Sequence, residues 1–355
     1  MYQPKEIANL DLLSGYLRTH KHDLNNFVSG VRAVYQQKSG KICVYNHIKS
    51  WKDIDVQYDK YHIPKKNPKL GYRIVYEIRT LSALNILKVL KFNLSTLYKP
   101  HVSVHGFVLG RGVFSNAKQH LANYYLLRTD IKNFFESINI DMVYEVFIDL
   151  GFIPEIAEVL SKITTLDNHL VQGLPTSPII ANLVLKNMDT ELKSLCKKYN
   201  AVYTRYADDI SISSNSDLPP LKEIENIVNK SKFKLNTKKT KTFKRGQNQF
   251  VTGLSICDNL YPRIPKKIKR KIRQELYYIK KFGYESHICK KFDFDEENYN
   301  EDFVSEEKRK LEYRIKGWVD YIHSIEPKVA ENFYNDLKVI QDNEIKKMDE
   351  YGDAF

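Results

Sequence analysis

Cysteine is scarce in this chain of 355 residues. Cys43, Cys196, Cys257 and Cys289 lie far apart and form no C-x-x-C pair, which argues against a disulfide framework and against a zinc site. No apolar run approaches the roughly 20 residues that span a bilayer. The first residues, MYQPKEIANLDLL, lack a basic region followed by an apolar stretch. These absences predict a protein of the reducing cytoplasm, neither secreted nor membrane-inserted. Internal repeats and long low-complexity linkers are missing too, and a hydrophobic content of 42% is enough to bury a real core in two or three structural units.

Acidic residues are outnumbered. The chain has 56 Lys and Arg against 43 Asp and Glu, a net charge of +13. The excess is concentrated in residues 263–291, RIPKKIKRKIRQELYYIKKFGYESHICKK, with eleven basic and two acidic side chains. A concentrated basic segment points to a polyanion, and nucleic acid ranks ahead of a merely solvated helix face.

The hydrophobic periodicity predicts an α+β chain. Residues 1–60 read as mostly helical, with Ile7, Leu10, Leu13 and Leu17 at helical spacing. A basic stretch (YHIPKKNPKLGYRIVYEIRT), a helical run (LSALNILKVLKF) and a glycine-punctuated turn (HGFVLGRG) follow. YYLLRTDI (124–131) reads as a buried strand and residues 140–150 as a helix. The run after GLPTSP has helical period behind Ser177-Pro178. Residues 201–214 read as two short strands, and FVTGLSI (250–256) as a last strand. Beyond it Ile268, Ile272, Leu276 and Ile279 make one apolar stripe on a basic helix over 266–282. The acidic FDFDEENYNED separates it from final helices around GWVDYIHSI and NFYNDLKVIQ.

The most informative stretch is YTRYADDISIS (203–213), which sets Asp208 beside Asp209 in the connection of a hairpin. Adjacent carboxylates repel unless a positive group sits against them, and a divalent cation held by oxygen ligands is the usual solution. Asp-Asp in a hairpin is also ordinary turn chemistry, so the pair alone does not decide. Asp130, at the end of the strand in LRTDIKNFF, offers a third carboxylate. Three carboxylates holding two Mg²⁺ ions suit in-line phosphoryl transfer.

LRTDIKNFF, QGLPTSPIIANL and YADD, in that order and spacing, resemble the palm of reverse transcriptases over roughly residues 60–256. The resemblance implies a right-hand polymerase fold without an RNase H domain. N-terminal helices and fingers would span 1–123, the palm 124–262 with finger elements near 140–175, and a helical thumb 263–355. It implies that Asp130, Asp208 and Asp209 are the catalytic metal-binding aspartates, with Ile131 lending a backbone carbonyl. Phe135 corresponds to the aromatic gate that excludes a 2′-hydroxyl from the incoming nucleotide. Gln172 and Gly173 correspond to the loop that packs on the nascent pair. Lys65, Lys66 and Arg73 correspond to fingers residues that neutralise the triphosphate, with no choice possible between the lysines. Lys239 is a candidate to protonate the leaving pyrophosphate. One departure is Ile78, where many relatives have proline.

Asn116-Ala117 and His120 match an N-A-x-x-H signature, and Val251-Thr252-Gly253 a V-T-G signature; Asn116, His120, Val251, Thr252 and Gly253 are candidates for contact with RNA. Both signatures resemble retron reverse transcriptases, bacterial enzymes that copy part of a structured noncoding RNA into multicopy single-stranded DNA. The resemblance implies priming by a guanosine 2′-hydroxyl, a branched product, a role in defence against phage and a neighbouring effector protein. A thumb of this kind holds an A-form RNA–DNA hybrid through its backbone, for which Lys267, Arg270, Lys271 and Arg273 are candidates, with Tyr277 or Tyr278 available to stack. A group II intron-like or other defence reverse transcriptase, and a catalytically silent RNA-binding scaffold, stand as alternatives.

Overall fold

The computed structural model describes residues 3–29, 33–38, 41–46, 56–65, 67, 71–293 and 300–352. In chain order the elements begin with α1 (Leu10–Tyr16), α2 (Lys21–Ser29), β1 (Ala33–Lys38), β2 (Lys41–Asn46), β3 (Gln57–Pro64), β4 (Tyr72–Ile78) and α3 (Leu81–Leu97). Then come α4 (Val113–Lys118), β5 (Tyr125–Asp130), α5 (Ile140–Asp149), α6 (Pro154–Thr164), α7 (Ser177–Val184) and α8 (Lys186–Lys198). They are followed by β6 (Val202–Tyr206), β7 (Asp209–Ser214), α9 (Leu221–Lys230), β8 (Lys241–Lys244), β9 (Phe250–Val251) and β10 (Leu254–Ser255). The chain ends with α10 (Lys266–Phe292), α11 (Glu301–Ile325) and α12 (Pro327–Gly352). It forms two compact units, residues 1–112 with 124–243 and residues 113–123 with 244–355.

The first unit holds two sheets. One has the order β1-β2-β3-β4, so each strand pairs with the next in sequence. This corrects the helical expectation for residues 1–60, which fails after Ser29. Val34, Tyr35, Ile42, Val44 and Tyr45 are β-branched and aromatic residues that favour a pleated strand over a helix. The other sheet has the order β6-β7-β5-β8. Leu126, Leu127, Tyr203, Ile210 and Ile212 from β5, β6 and β7 are buried in the core with Val143, Phe147, Ile156, Leu160, Ile180 and Leu192 from α5 to α8.

The helices over this core start where their signals lie. The Asn139 side chain caps α5 by accepting from the Met142 amide at 3.0 Å, and Pro154 and Pro178 stand in the first turns of α6 and α7. The long helix expected after GLPTSP is two helices, because Leu185 between them has a ψ near 1°. α6 escaped the sequence reading although Ile156, Leu160 and Ile163 give it a buried stripe.

In the second unit FVTGLSI is a tight hairpin, not one strand. Thr252 and Gly253, between β9 and β10, have φ of 46° and 84°. Positive φ at both central residues is the two-residue turn that matches strand twist. α10, α11 and α12 pack on one another through Ile272, Leu276 and Ile279, Ile315, Val319 and Ile322, and Ala330 and Phe333. Buried Glu326, between α11 and α12, accepts from the Ile264 amide at 2.8 Å and from Lys269 Nζ at 3.0 Å. That fixes the start of α10. Gly283, with φ 85° and ψ 169°, interrupts α10 just after the predicted end at 282.

Candidate active site

β5 and β7 are antiparallel neighbours in a register that sets Asp130 opposite Asp209, and β6 and β7 are closed by Ala207-Asp208. The Ile131 amide donates to the Asp208 carbonyl at 3.0 Å, so the strand carrying Asp130 is tied to the turn carrying the adjacent carboxylates. Strand register brings Asp130 beside Asp209, which is already joined to Asp208 in sequence.

The electrostatics are those of an anionic site short of cations. Burial pushes the Asp208 carboxyl above the ordinary range; the Asp130 carboxylate adds to this, while Lys239 and Arg73 pull it back. Asp209 is pushed up to about 6, first by burial and then by Asp208, with Asp130 adding less. Asp130 is 3% exposed. Its Oδ2 accepts a hydrogen bond from the Lys239 ammonium, while its buried Oδ1 has no hydrogen-bond partner among the described residues.

Lys239 reaches Asp130 because residues 234–240 run alongside the end of β5. The Lys132 amide donates to the Lys234 carbonyl at 2.9 Å and the Asn236 amide to the Asp130 carbonyl at 2.8 Å. The hydroxyls of Thr129 and Thr240 are 2.7 Å apart. Lys239 thus supplies the positive charge that the carboxylates demand.

An orphaned carboxylate oxygen, three acidic side chains and two raised proton affinities suit a hard cation that prefers oxygen ligands. The donor chemistry therefore fits Mg²⁺. As arranged, with Lys239 on Asp130, the aspartates do not form a ready cage: no group of three or more His, Cys, Asp or Glu among the described residues stands close enough to hold a metal.

The other predicted nucleotide-site residues distribute as follows. Arg73 is the second residue of β4, and Lys65 closes the β3–β4 hairpin through its amide, which donates to the Gly71 carbonyl at 3.0 Å; both side chains are exposed. Lys66 lies outside the described residues. Ile78 is buried and pairs with Tyr58. Phe135 is half-buried against the core, its ring centroid 5.1 Å from that of buried Phe134. The Gln172 carbonyl accepts from the Tyr76 amide at 2.8 Å, and a Cβ on Gly173, whose φ is 115°, would lie 1.8 Å from the Tyr76 carbonyl oxygen. The close approach that requires glycine here is made by the backbone of β4.

In the second unit the two short signatures meet. Thr252 Oγ1 donates to the Val113 carbonyl at 3.2 Å and lies 3.5 Å from Asn116 Nδ2. Asn116, His120 and Val251 are at most 1% exposed, which corrects the expectation that their side chains touch RNA. They hold α4 to the β9–β10 hairpin, and of this group only Thr252 and Gly253 reach the surface. Lys267, Arg270, Lys271 and Arg273 are all exposed on α10, opposite buried Ile272, Leu276 and Ile279. The Arg273 guanidinium also lies 5.8 Å from the centroid of the Phe333 ring.

Sequence reasoning missed what lies under the turn that bears Asp208 and Asp209. Arg205 is fully buried and makes an ion pair with Asp189 of α8, Nε at 2.8 Å and Nη2 at 2.7 Å. Its Nη1 donates to Asn182 Oδ1 at 3.1 Å and to the Ala207 carbonyl at 3.0 Å. The Tyr203 hydroxyl donates to the same Asp189 at 2.6 Å. Ala207 has a φ of 55°, unusual for a residue with a Cβ, and Arg205 holds its carbonyl in place. The signal available in the sequence was a charged residue inside an otherwise apolar strand, since an Arg there needs a buried partner.

A family model described as "Reverse transcriptase (RNA-dependent DNA polymerase)" matches residues 63–285. The retron Ec86 reverse transcriptase of Escherichia coli is 29% identical over 278 residues, 77% of this chain and 78% of the relative. The retron Ec73 reverse transcriptase of Escherichia coli is 30% identical over 307 residues, 79% of this chain and 89% of the relative. Among solved structures, a telomerase of Candida albicans is a distant likeness, with a TM-score of 0.43 and 10% identity over 63% of this chain and 50% of that one.

Proposed function

Since the chain belongs to the reverse transcriptases, and among them to the retron type of RNA-directed DNA polymerase with the right-hand polymerase fold, we propose that it copies a structured noncoding RNA, the msr-msd transcript, into branched multicopy single-stranded DNA (msDNA). In this reading a guanosine 2′-hydroxyl of the RNA is the primer. Asp130, Asp208 and Asp209 would hold two Mg²⁺ ions, with the Ile131 carbonyl as a further ligand. The observation that carries the reading is the register of β5 against β7, which sets Asp130 opposite Asp209 beside the turn that bears Asp208.

The metal, when bound, stabilises charge on the attacking and departing oxygens of phosphoryl transfer. The rest is positioning by the chain. Arg73, with Lys65 or Lys66, neutralises the triphosphate; Arg73 is already close enough to lower the proton affinity of Asp208. Phe135 lies under the sugar and leaves no room for a 2′-hydroxyl. Gln172 and Gly173 support the nascent pair, anchored on β4. Lys239, once released from Asp130, would have its ammonium free to give a proton to the departing pyrophosphate. The cations of α10 grip the phosphates of the hybrid. The protein works in the cytoplasm in defence against phage, alongside an effector protein.

The test is DNA synthesis by the purified protein with its own RNA, deoxynucleotides and Mg²⁺, followed by debranching and sequencing. One short DNA joined to RNA through a 2′,5′ linkage, and lost in Asp208→Asn, is the expected product. DNA without a branch would assign the chain to another priming mode. RNA binding without DNA in both proteins would leave only a scaffold.

A further inference from the structure

We propose that Phe107 is a positioning residue for the ring of Phe135, and that it thereby sets how strictly the enzyme takes deoxynucleotides over ribonucleotides. The inference rests on the reading of Phe135 as the sugar gate.

Phe107 follows a segment fastened to the catalytic turn at several points. Residues 103–105 run parallel to β6, with the Arg205 amide donating to the Ser103 carbonyl and the His105 amide to the Arg205 carbonyl, both at 2.8 Å. A Cβ on Gly106 would lie 2.4 Å from the Ala207 amide nitrogen, so only glycine lets the segment approach the turn this closely. The Gly106 carbonyl accepts from Asn182 Nδ2 at 3.0 Å, and that same amide side chain receives Arg205 through its oxygen. On the far side Arg111 Nη1 donates to the carbonyls of His101 and Val104, each at 2.7 Å.

The segment then places a large apolar side chain where neither backbone nor solvent favours it. Phe107 has a φ of 61°, a left-handed conformation that is costly for a bulky residue, and its side chain is 46% exposed. What it gains is Phe135, whose ring centroid lies 6.3 Å away at an interplanar angle of 50°. Phe134 touches Phe135 from the core at 5.1 Å. The gate ring therefore has one aromatic neighbour from inside and one from the loop. A gate that excludes a single hydroxyl works only if its ring cannot swing away, and packing by neighbouring side chains locks a rotamer. Backbone strain at an exposed ring is the kind of cost that persists where function requires it.

The experiment is single-nucleotide insertion on a primed RNA template, comparing kcat/KM for dGTP and GTP in wild type, F107A, F107Y, F107L, F135A and F107A/F135A. F107A is expected to raise relative use of GTP by about two- to tenfold, the worth of one aromatic pair, with dGTP insertion nearly unchanged. F107Y keeps the ring and the wild-type ratio. F135A loosens selection further, and adding F107A to it has no additional effect. An unchanged ratio in F107A, an equal loss for both nucleotides, or a full F107A effect persisting beside F135A would each overturn the proposal. If F135A itself leaves the ratio unchanged, the gate reading falls and the proposal with it, whereas an effect of F135A without one of F107A removes the proposal alone. Should F107A not fold, F107L, which keeps bulk without an aromatic face, is read for the same loosening.

Discussion

Arg205 and Asp189 are joined by two hydrogen bonds at 2.8 and 2.7 Å, with both side chains wholly buried beneath the turn that bears Asp208 and Asp209. Removing one partner of such a pair strands the other charge in the core. Asp189→Ala, which also leaves the Tyr203 hydroxyl without its acceptor, is expected to cost about 3–5 kcal/mol of stability in urea denaturation. Asp189→Asn, which keeps hydrogen-bonding capacity, should cost less. Equal stability of Asp189→Ala and wild type would show that the pair does not hold this part of the fold.

Lys239 occupies the place of a cation on Asp130. Lys239→Met should therefore tighten binding of Mg²⁺ to the nucleotide-free protein, measured by calorimetry, because the ion no longer displaces an ammonium. DNA synthesis should fall at the same time if Lys239 serves as the acid for pyrophosphate. Weaker metal binding in the variant would contradict the competition.

Asp208→Asn and Asp130→Asn are each expected to lower the rate of nucleotide addition by about a thousandfold or more, a loss of several kcal/mol of transition-state stabilisation. Stability should not fall in Asp208→Asn, because the change removes one of three repelling carboxylates, whereas Asp130→Asn also gives up the ion pair with Lys239. Thermal melting without metal reads this second effect, and a large drop in melting temperature would point to a structural role instead.

His105, buried beside the turn that bears Asp208 and Asp209, has its pKa lowered to about 4, by burial first and then by the Arg111 guanidinium. The unfolded chain binds a proton there near pH 6.5 and the folded chain only near pH 4. Stability is thus full above pH 6.5 and falls as the pH drops towards 4, by up to about 3 kcal/mol from this residue. His105→Gln should make the difference in unfolding free energy between pH 7 and pH 4.5 smaller. An unchanged difference would place the acid sensitivity elsewhere.

Exposed cations on α10 should show themselves through salt. If Lys267, Arg270 and Lys271 each meet a phosphate, replacing any one by alanine lowers the log–log salt slope of RNA–DNA hybrid binding by about 0.7 to 0.9. Weaker binding with an unchanged slope would indicate loss of packing instead.

The sequence by itself determined the family and much of the scaffold. Asp208 and Asp209 stood out because side-by-side carboxylates are costly without a cation, Asp130 because it ends a strand, and the order of the motifs around them carried the resemblance that joined the three; the stripe of Ile272, Leu276 and Ile279 marked which side of α10 is buried and which carries cations. Local signals of this kind are written over a few consecutive turns or strands. Only the tertiary structure decided which distant backbones touch. Gly106 is required by Ala207, Gly173 by Tyr76, and Asn116 is buried beside Thr252. Arg205 finds its counter-charge on another element, and the ring of Phe107 reaches that of Phe135. Such contacts depend on how strands and helices are brought together in space, and no periodicity along the chain encodes them.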